Sequence, residues 1–253
     1  MSTTPREYNF DKLNERFDHE APAWHKLYDP VDPSIYNNKQ YRRKYVLEML
    51  GSGSGTVLDF GCGAGGYFEV LEKLGYHVVG LDSAPQMVKT ATNVASSLKN
   101  TKVLQGDVLH PPFEKHTFDA LIAVGLLEYL PNDQNFLRVV KELVKPGGKI
   151  VVTLRNSRCF ERRLWKLYLK FGINVGNIDY FYRDHDAQSF TALLKAHGFK
   201  DVQVRYCHFY PVPWPIHRLI PSINTFLSHK MERYFSQSKI NFLGSTMIVS
   251  FRP

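Results

Sequence analysis

Cysteine is scarce, with three in 253 residues at positions 62, 159 and 207. Thiols so widely spaced make neither a disulfide framework nor a Cys/His zinc pattern, so reduced cysteines and no bound metal are expected. No run of about 18 apolar residues occurs, and the N-terminal MSTTPREYNF has no apolar core. A membrane-spanning helix and a secretory signal are therefore not expected, and a cytoplasmic protein is. Repeats and low-complexity tracts are also missing. Acidic residues are fewer than basic ones, 24 against 32, which leaves a net charge of +8. Part of the excess clusters: Arg155, Arg158, Arg162, Arg163, Lys166 and Lys170 alternate with Phe160, Leu164, Trp165, Leu167, Tyr168 and Phe171. Such a stretch is either a solvated helix face or a surface for anionic lipid or an acidic substrate.

Glycine, in contrast, is concentrated at one place. The stretch VLDFGCGAGG, residues 57–66, carries Gly61, Gly63, Gly65 and Gly66 behind an apolar run and one carboxylate, Asp59. The Gly61-x-Gly63-x-x-Gly66 spacing fits a dinucleotide fingerprint, but an acid two residues before the first glycine is not part of it. A tight turn needing positive φ accounts for one or two glycines, not four in six positions. Close approach of the backbone to a ligand accounts for the rest. Asp59, Gly61, Cys62, Gly63 and Gly65 are accordingly cofactor-binding candidates.

The surrounding pattern places that loop. Residues 1–50 are polar and rich in aromatics, and Phe10, Leu13, Phe17, Trp24, Leu27 and Tyr28 suggest short helices broken near Pro22 and Pro30, a lid. GSGSG at 51–55 is a flexible joint into the main domain, 51–253. Strands at 56–60, 77–82, 101–105, 118–124 and 149–154 alternate with helices at 65–74, 84–98 and 132–145, the last stopped by KPGG. This is the α/β pattern of a doubly wound, mostly parallel sheet. Beyond 155 a helix at 186–197, a strand at 199–209, a helix at 222–236 and a strand at 244–252 follow, with cap segments at 157–183 and 206–240.

In such a sheet the ligand lies beyond the carboxyl ends of the strands, where strand order reverses. Asp82, ending the second strand, suits the ribose hydroxyls of either a dinucleotide or S-adenosylmethionine. Ser83 beside it serves as a cap or a contact. Asp107 and the Val108 N–H, after the third strand, suit an adenine edge. The fourth strand opens toward the same crevice from Ala123 to Leu126, which adds Val124.

Taken together, VLDFGCGAG, VVGLDSAPQMV, GDV, FDALIAVGLLEYL and LVKPGGKIVV resemble a class I S-adenosylmethionine-dependent methyltransferase over residues 40 to 155. The resemblance implies a Rossmann-like seven-stranded sheet of order 3-2-1-4-5-7-6 with an antiparallel last strand. RFDHEAPAWHKLYDP is similar to the opening of bacterial quinone and porphyrin methyltransferases. Many quinone-type relatives carry Glu-His after the fourth strand, where this chain has Glu128-Tyr129. The resemblance also implies a pocket-side position for His185, in FYRDHDAQSF, and a basic contact to the methionine carboxylate, for which Arg42 is the first candidate, ahead of a helix that runs into the first strand. An arginine fork suits that task.

The chemistry is modest: a sulfonium methyl is already activated, so alignment and, for a hydroxyl acceptor, proton removal suffice. Candidate bases are His110, His116, His185, His208, Tyr129 and Tyr28, of which His185, Tyr129 and Tyr28 are put first. Aromatic residues in the caps, including Trp165, Tyr168, Tyr180, Phe181 and Trp214, suggest an apolar, aromatic or lipid-like acceptor that is O-methylated. Trp214 and Ile216 beside Arg218, with the basic helix near 160–171, make a membrane surface a second candidate partner. An RNA methyltransferase is the alternative that the positive charge prompts, although no RNA-binding module is visible and no nucleic-acid partner is expected. A nicotinamide-dependent oxidoreductase leaves Asp107 and the final strand unexplained, and a non-catalytic cofactor-binding protein is a further alternative.

Overall fold

The structure, a computed structural model, describes residues 8–24, 38–171, 182–212, 219–236 and 241–253. Tyr28, Tyr180, Phe181, Trp214, Ile216 and Arg218 lie outside the described residues, as do the side chains of Trp165, Lys166 and Tyr168.

Five strands follow the alternation read from the sequence: β1 (Thr56–Phe60), β2 (His77–Asp82), β3 (Thr101–Gln105), β4 (Phe118–Ala123) and β5 (Val144–Arg155). Between them run α3 (Phe68–Lys73), α4 (Pro85–Ala95) and α5 (Asp133–Leu143), preceded by α1 (Phe10–Trp24) and α2 (Asn38–Leu50). Then come α6 (Phe160–Lys170), α7 (Ala187–Ala196), β6 (Lys200–Cys207), α8 (Pro221–Phe235) and β7 (Thr246–Arg252). The seven strands form one sheet in the order β3-β2-β1-β4-β5-β7-β6, as expected. All neighbouring pairs are parallel except those of β7, which is antiparallel to both β5 and β6.

Strand side chains alternate between two interiors, because a pleated strand points successive residues to opposite faces. Leu58, Phe60, Leu121, Ile150, Val152 and Val249 pack with Phe136, Leu137 and Val140 of α5 and Leu194 of α7. Val57, Ile122, Val151 and Ile248 pack on the other face with Val46 and Leu50 of α2, Leu71 of α3 and Ala91 of α4. Both faces are covered, which is why β4 and β5 read as continuous apolar runs.

Three expectations are corrected. The helix α1 continues through Pro22 to Trp24 and does not break there. Arg42 and Arg43 lie inside α2, not ahead of a helix. The helix α5 already ends at Leu143, so KPGG lies not at its end but inside β5, which begins at Val144. Its ladder with β4 shifts register between Phe118↔Val144 and Ala120↔Lys149. Gly147, at φ +78°, lies in that irregularity. A Cβ on Gly148 would sit 2.7 Å from the Asp119 carbonyl oxygen, so the irregular strand demands glycine there.

Candidate functional site

The chain turns out of β1 at Gly61, where the N–H groups of Gly61 and Cys62 donate to the Leu81 carbonyl at 2.8 and 3.0 Å. Gly61, Gly63 and Gly65 all have positive φ, at 75°, 52° and 80°, but they serve different ends. Gly61 and Gly63 line a cavity. A side chain at Gly65 would meet the Phe68 ring at 2.8 Å, so this glycine lets the loop close on its neighbours. The Cys62 thiol is buried in the core and does not line the cavity; burial pushes its pKa well up. Arg43 donates to the Gly66 carbonyl at 3.3 Å, bracing the loop from α2.

Asp82 joins loop and cavity. Its Oδ2 accepts from the Gly63 N–H at 2.8 Å and its Oδ1 from the Ala84 N–H at 3.0 Å, while the residue lines the cavity. Each carboxylate oxygen has a second lone pair, so acceptor capacity remains for a ligand hydroxyl. Burial raises its proton affinity, and the backbone N–H groups oppose that. Asp59 sits deeper, 2% exposed and away from the cavity wall, and its Oδ2 finds no hydrogen-bond partner among the described residues. Burial first, and the Asp82 charge second, raise its pKa to about 8.

The remaining wall comes from β4 and from α1. Val124, Gly125 and Leu126 open onto the cavity as the sequence suggested, with Val108 and Ser83. Asp107 does not line it: its oxygens accept from the Leu109 N–H at 2.9 Å and pair with His110 Nδ1 at 2.9 Å, which bends the carboxyl back on its own loop. Opposite stand Phe10, Leu13, Phe17 and Trp24 of α1, with Tyr129, whose ring meets Phe17 edge-on at 5.2 Å. The helix α1 is tied down by Ser83 Oγ donating to Asn14 Oδ1 at 2.8 Å and by the Gln86 N–H donating to Asp18 Oδ1 at 2.7 Å.

A second cavity of about 360 Å³ adjoins the first, and sequence reasoning did not assemble it. Lys39 and Arg42 of α2, Glu128, Arg155 at the end of β5, Arg162 of α6 and His208 after β6 line it. Gly125, in the wall of the first, lies beside two residues of the second: a methyl group placed on it would be 3.6 Å from Arg42 Nη1 and 3.7 Å from Glu128 Oε1. Glu128 is 8% exposed, and its Oε2 has no hydrogen-bond partner among the described residues. Burial raises its pKa, against the pull of its own N–H, Arg42, Arg155 and His185. Burial and Arg42 lower Lys39 to about 8, with Glu20 opposing; its Nζ stands 3.9 Å from the Trp24 ring centroid. His208 is neutral, lowered to about 3 by burial first and then by Arg42. Both its ring nitrogens are engaged, one with the Asn38 carbonyl and the other with Thr246 Oγ1 at 2.9 Å.

His185 is corrected as a pocket residue. It is buried, lines neither cavity, and places Nε2 3.1 Å from Asp133 Oδ1. Arg183 Nη2 donates to the same oxygen at 2.5 Å. The triad fastens the segment before α7 to the start of α5. Asp186, not His185, caps α7, accepting from the Gln188 and Ser189 N–H groups.

Residues 58–152 match the family of methyltransferase domains. A demethylmenaquinone methyltransferase of Tropheryma whipplei is 33% identical over 133 residues, 51% of this chain. The match takes in 54% of that protein, about half its length. A ubiquinone biosynthesis O-methyltransferase of Coxiella burnetii is 27% identical over 83% of this chain and 91% of its own. Residues 58–152 are a methyltransferase domain, whose cofactor is S-adenosylmethionine. Among solved structures, a Thermotoga maritima S-adenosylmethionine-dependent methyltransferase, a possible histamine N-methyltransferase, superposes with a TM-score of 0.61 at 17% identity, covering 95% of this chain and 98% of that one. The [4+2]-cyclase SpnF superposes with a TM-score of 0.64 at 17% identity, covering 100% and 98%. At these identities the likeness speaks for the fold, and the cyclase shows how differently one fold is used.

The residues fit this cofactor chemically. Gly61 and Gly63 leave room for the backbone to approach, Asp82 offers acceptors to a ribose, and Val108 and Leu126 offer an apolar slot for a base. The cavity, about 90 Å³, is walled on one side by α1.

Proposed function

We propose that the chain methylates a hydroxyl oxygen of a small, apolar or aromatic molecule. The observation that carries this is the buried Glu128 carboxyl, which lines the second cavity and lies beside Gly125 of the glycine-loop cavity. When bound, S-adenosylmethionine supplies an activated methyl group. Gly61, Gly63, Asp82, Ser83, Val108 and Val124 would hold it, and Arg42 would offer its guanidinium to the methionine carboxylate. Glu128 takes the proton that the acceptor hydroxyl loses. A carboxyl whose proton affinity is raised by burial is a stronger base than an exposed one, and such a base contributes typically 10²–10⁴-fold. Tyr129 and the aromatic residues of α1 pack an apolar acceptor and exclude water. The N-terminal 50 residues serve as the lid over the domain at 51–253. The ubiquinone-type relative, which spans most of both chains, supports oxygen as the methylated atom.

This reading places the enzyme in the cytoplasm at the membrane face. No helix among the described residues is long and apolar enough to cross a membrane. Phe160 and Leu167 of α6, Phe171 just after it, and Ile223 and Phe226 of α8 are nonetheless exposed, as are the cations Arg163 and Lys170. An apolar wedge with cationic anchors suits reversible contact with an anionic bilayer.

The test is incubation with methyl-labelled S-adenosylmethionine and a cell extract, followed by fractionation. Label in the small-molecule or lipid fraction, in an ether linkage, supports the reading; label in RNA overturns it. Glu128→Gln should slow transfer about 10²-fold or more while leaving S-adenosylhomocysteine binding near wild type.

A further inference from the structure

We infer that Arg183 is a positioning residue for methyl transfer: braced by Asp133 and His185, it holds the turn that carries Glu128 and Tyr129 against the end of β5. The inference rests on Glu128 being the base, as proposed above.

The segment Leu127–Tyr129 is a single 3₁₀ turn with little of its own to keep it in shape. The Tyr129 N–H donates to the Leu126 carbonyl at 3.0 Å and the Leu130 N–H to the Leu127 carbonyl at 3.3 Å. The turn leaves from Gly125, at φ +69°, and the carbonyls at its end need partners from elsewhere, as at any helix end. Arg183 supplies them. Its N–H donates to the Glu128 carbonyl at 2.7 Å, its Nε to the Leu130 carbonyl at 2.7 Å and its Nη2 to the Leu127 carbonyl at 3.3 Å. One residue thus grips three of four consecutive carbonyls.

The grip is itself anchored. Arg183 Nη2 and His185 Nε2 both reach Asp133 Oδ1, at 2.5 and 3.1 Å, and Asp133 opens α5. The Arg183 and Asp133 side chains are 25% and 14% exposed, so solvent screens this charge-assisted pair less than it would a surface one. Burial pushes the Asp133 carboxyl up, but the His185 and Arg183 hydrogen bonds outweigh it and hold the group below the ordinary carboxylate range. On the other side the His185 N–H donates to the Arg155 carbonyl at 2.7 Å, and the His185 carbonyl accepts from the Ser157 N–H at 2.9 Å. Residues 183–185 therefore bridge the Glu128 turn and the end of β5, where Arg155 lines the second cavity. Arg183 lines neither cavity, so its effect on an acceptor passes through Glu128 and Tyr129.

Burial is the largest influence on the Glu128 carboxyl and raises its proton affinity; Arg42, Arg155 and His185 pull the other way, and Lys39, Arg162 and neutral His208 share its cavity. Loosening the turn lets the carboxyl reach water. Relief of burial then dominates, which leaves a weaker base in the wrong place.

The experiment uses the full chain with saturating S-adenosylhomocysteine and carbon-13 on the glutamate carboxyls, the Glu128 resonance being assigned by its loss in Glu128→Gln. Arg183→Gln should move the Glu128 titration midpoint down toward that of an exposed glutamate, and Asp133→Asn should move it in the same direction. Methyl transfer from labelled S-adenosylmethionine into a cell extract should fall about 10–10²-fold in Arg183→Gln, with the acidic limb of its pH profile moving down alongside the midpoint. In a Glu128→Gln background Arg183→Gln should cost nothing more, because residues that act as one unit do not add. Val78→Ala, a core truncation near the start of β2 and away from the ligand edge, should lower Tm and leave the midpoint where it is. Circular dichroism and retained S-adenosylhomocysteine affinity confirm folding; should Arg183→Gln not fold, Arg183→Lys, which keeps the charge and loses the fork, should shift the midpoint in the same direction. An unmoved midpoint in a folded Arg183 variant, or an equal loss of transfer with and without Glu128, overturns the inference. Normal transfer by Glu128→Gln removes Glu128 as the base and with it the role of Arg183 in transfer, a failure told apart by a midpoint that still moves.

Discussion

Asp59→Asn tests the electrostatics of the cofactor loop without any knowledge of the acceptor. Asp59 is 2% exposed, and its carboxyl is raised to about 8 by burial and by the neighbouring Asp82. An unfolded aspartate titrates near 4. Between those values the folded chain holds a proton that the unfolded chain has released, so each rise in pH favours unfolding. One such proton is worth about 1.4 kcal/mol per pH unit. From pH 5 to pH 7 the wild type therefore loses about 2.7 kcal/mol from this residue, or about 5–11 °C in Tm for a chain of this size. Asparagine cannot ionise, and it keeps the shape of the protonated acid. The contributions of other titrating groups, His208 among them, are common to both proteins, so the difference between the two curves isolates Asp59. Thermal unfolding of both at pH 5, 6 and 7 should show the variant gaining on the wild type at each step. Parallel curves would refute the claim that Asp59 is buried as the neutral acid.

Three further outcomes are expected. Gly63→Val should abolish S-adenosylhomocysteine binding with native circular dichroism, since φ is +52° there and the residue lines the cavity; native binding by a folded variant would remove the loop from the site. Asp82→Ala should weaken S-adenosylhomocysteine at least tenfold by calorimetry, because it deletes charge-assisted bonds worth about 1.5–3 kcal/mol each and frees the Gly63 N–H. Sedimentation with vesicles should favour anionic over neutral lipid and fade as salt rises, and Phe171→Ser with Phe226→Ser should weaken it; wild type that stays in the supernatant under every condition argues against membrane contact.

The fold was legible because its signals are local. Alternating apolar runs, the glycines at 61, 63 and 65, and Asp82 at a strand end are each set by a few neighbouring residues, and chirality then limits how the strands connect. The donor side of the site followed from the same stretch, since Gly61, Gly63, Asp82, Ser83, Val108 and Val124 all line one cavity. Residues whose role depends on where a side chain turns were not legible. Asp107 and Cys62 have the expected positions, yet one bonds to its own loop and the other packs in the core. His185 reads as a polar residue before a helix, and only the arrival of Asp133 from 52 residues away makes it a buried clasp.

The sequence by itself determined the class of the sheet and the place of the cofactor loop, because periodicity and backbone conformation are properties of contiguous residues; the strand order followed from the family resemblance of its motifs. Only the tertiary structure decided what lines the second cavity. Lys39, Arg42, Glu128, Arg155, Arg162 and His208 are scattered over 170 residues and share no motif. They become one cavity because α2, the β4 and β5 ends, α6 and the segment after β6 all converge beyond the same edge of the sheet. Charge separated along the chain carries no message until folding brings it within a few ångströms.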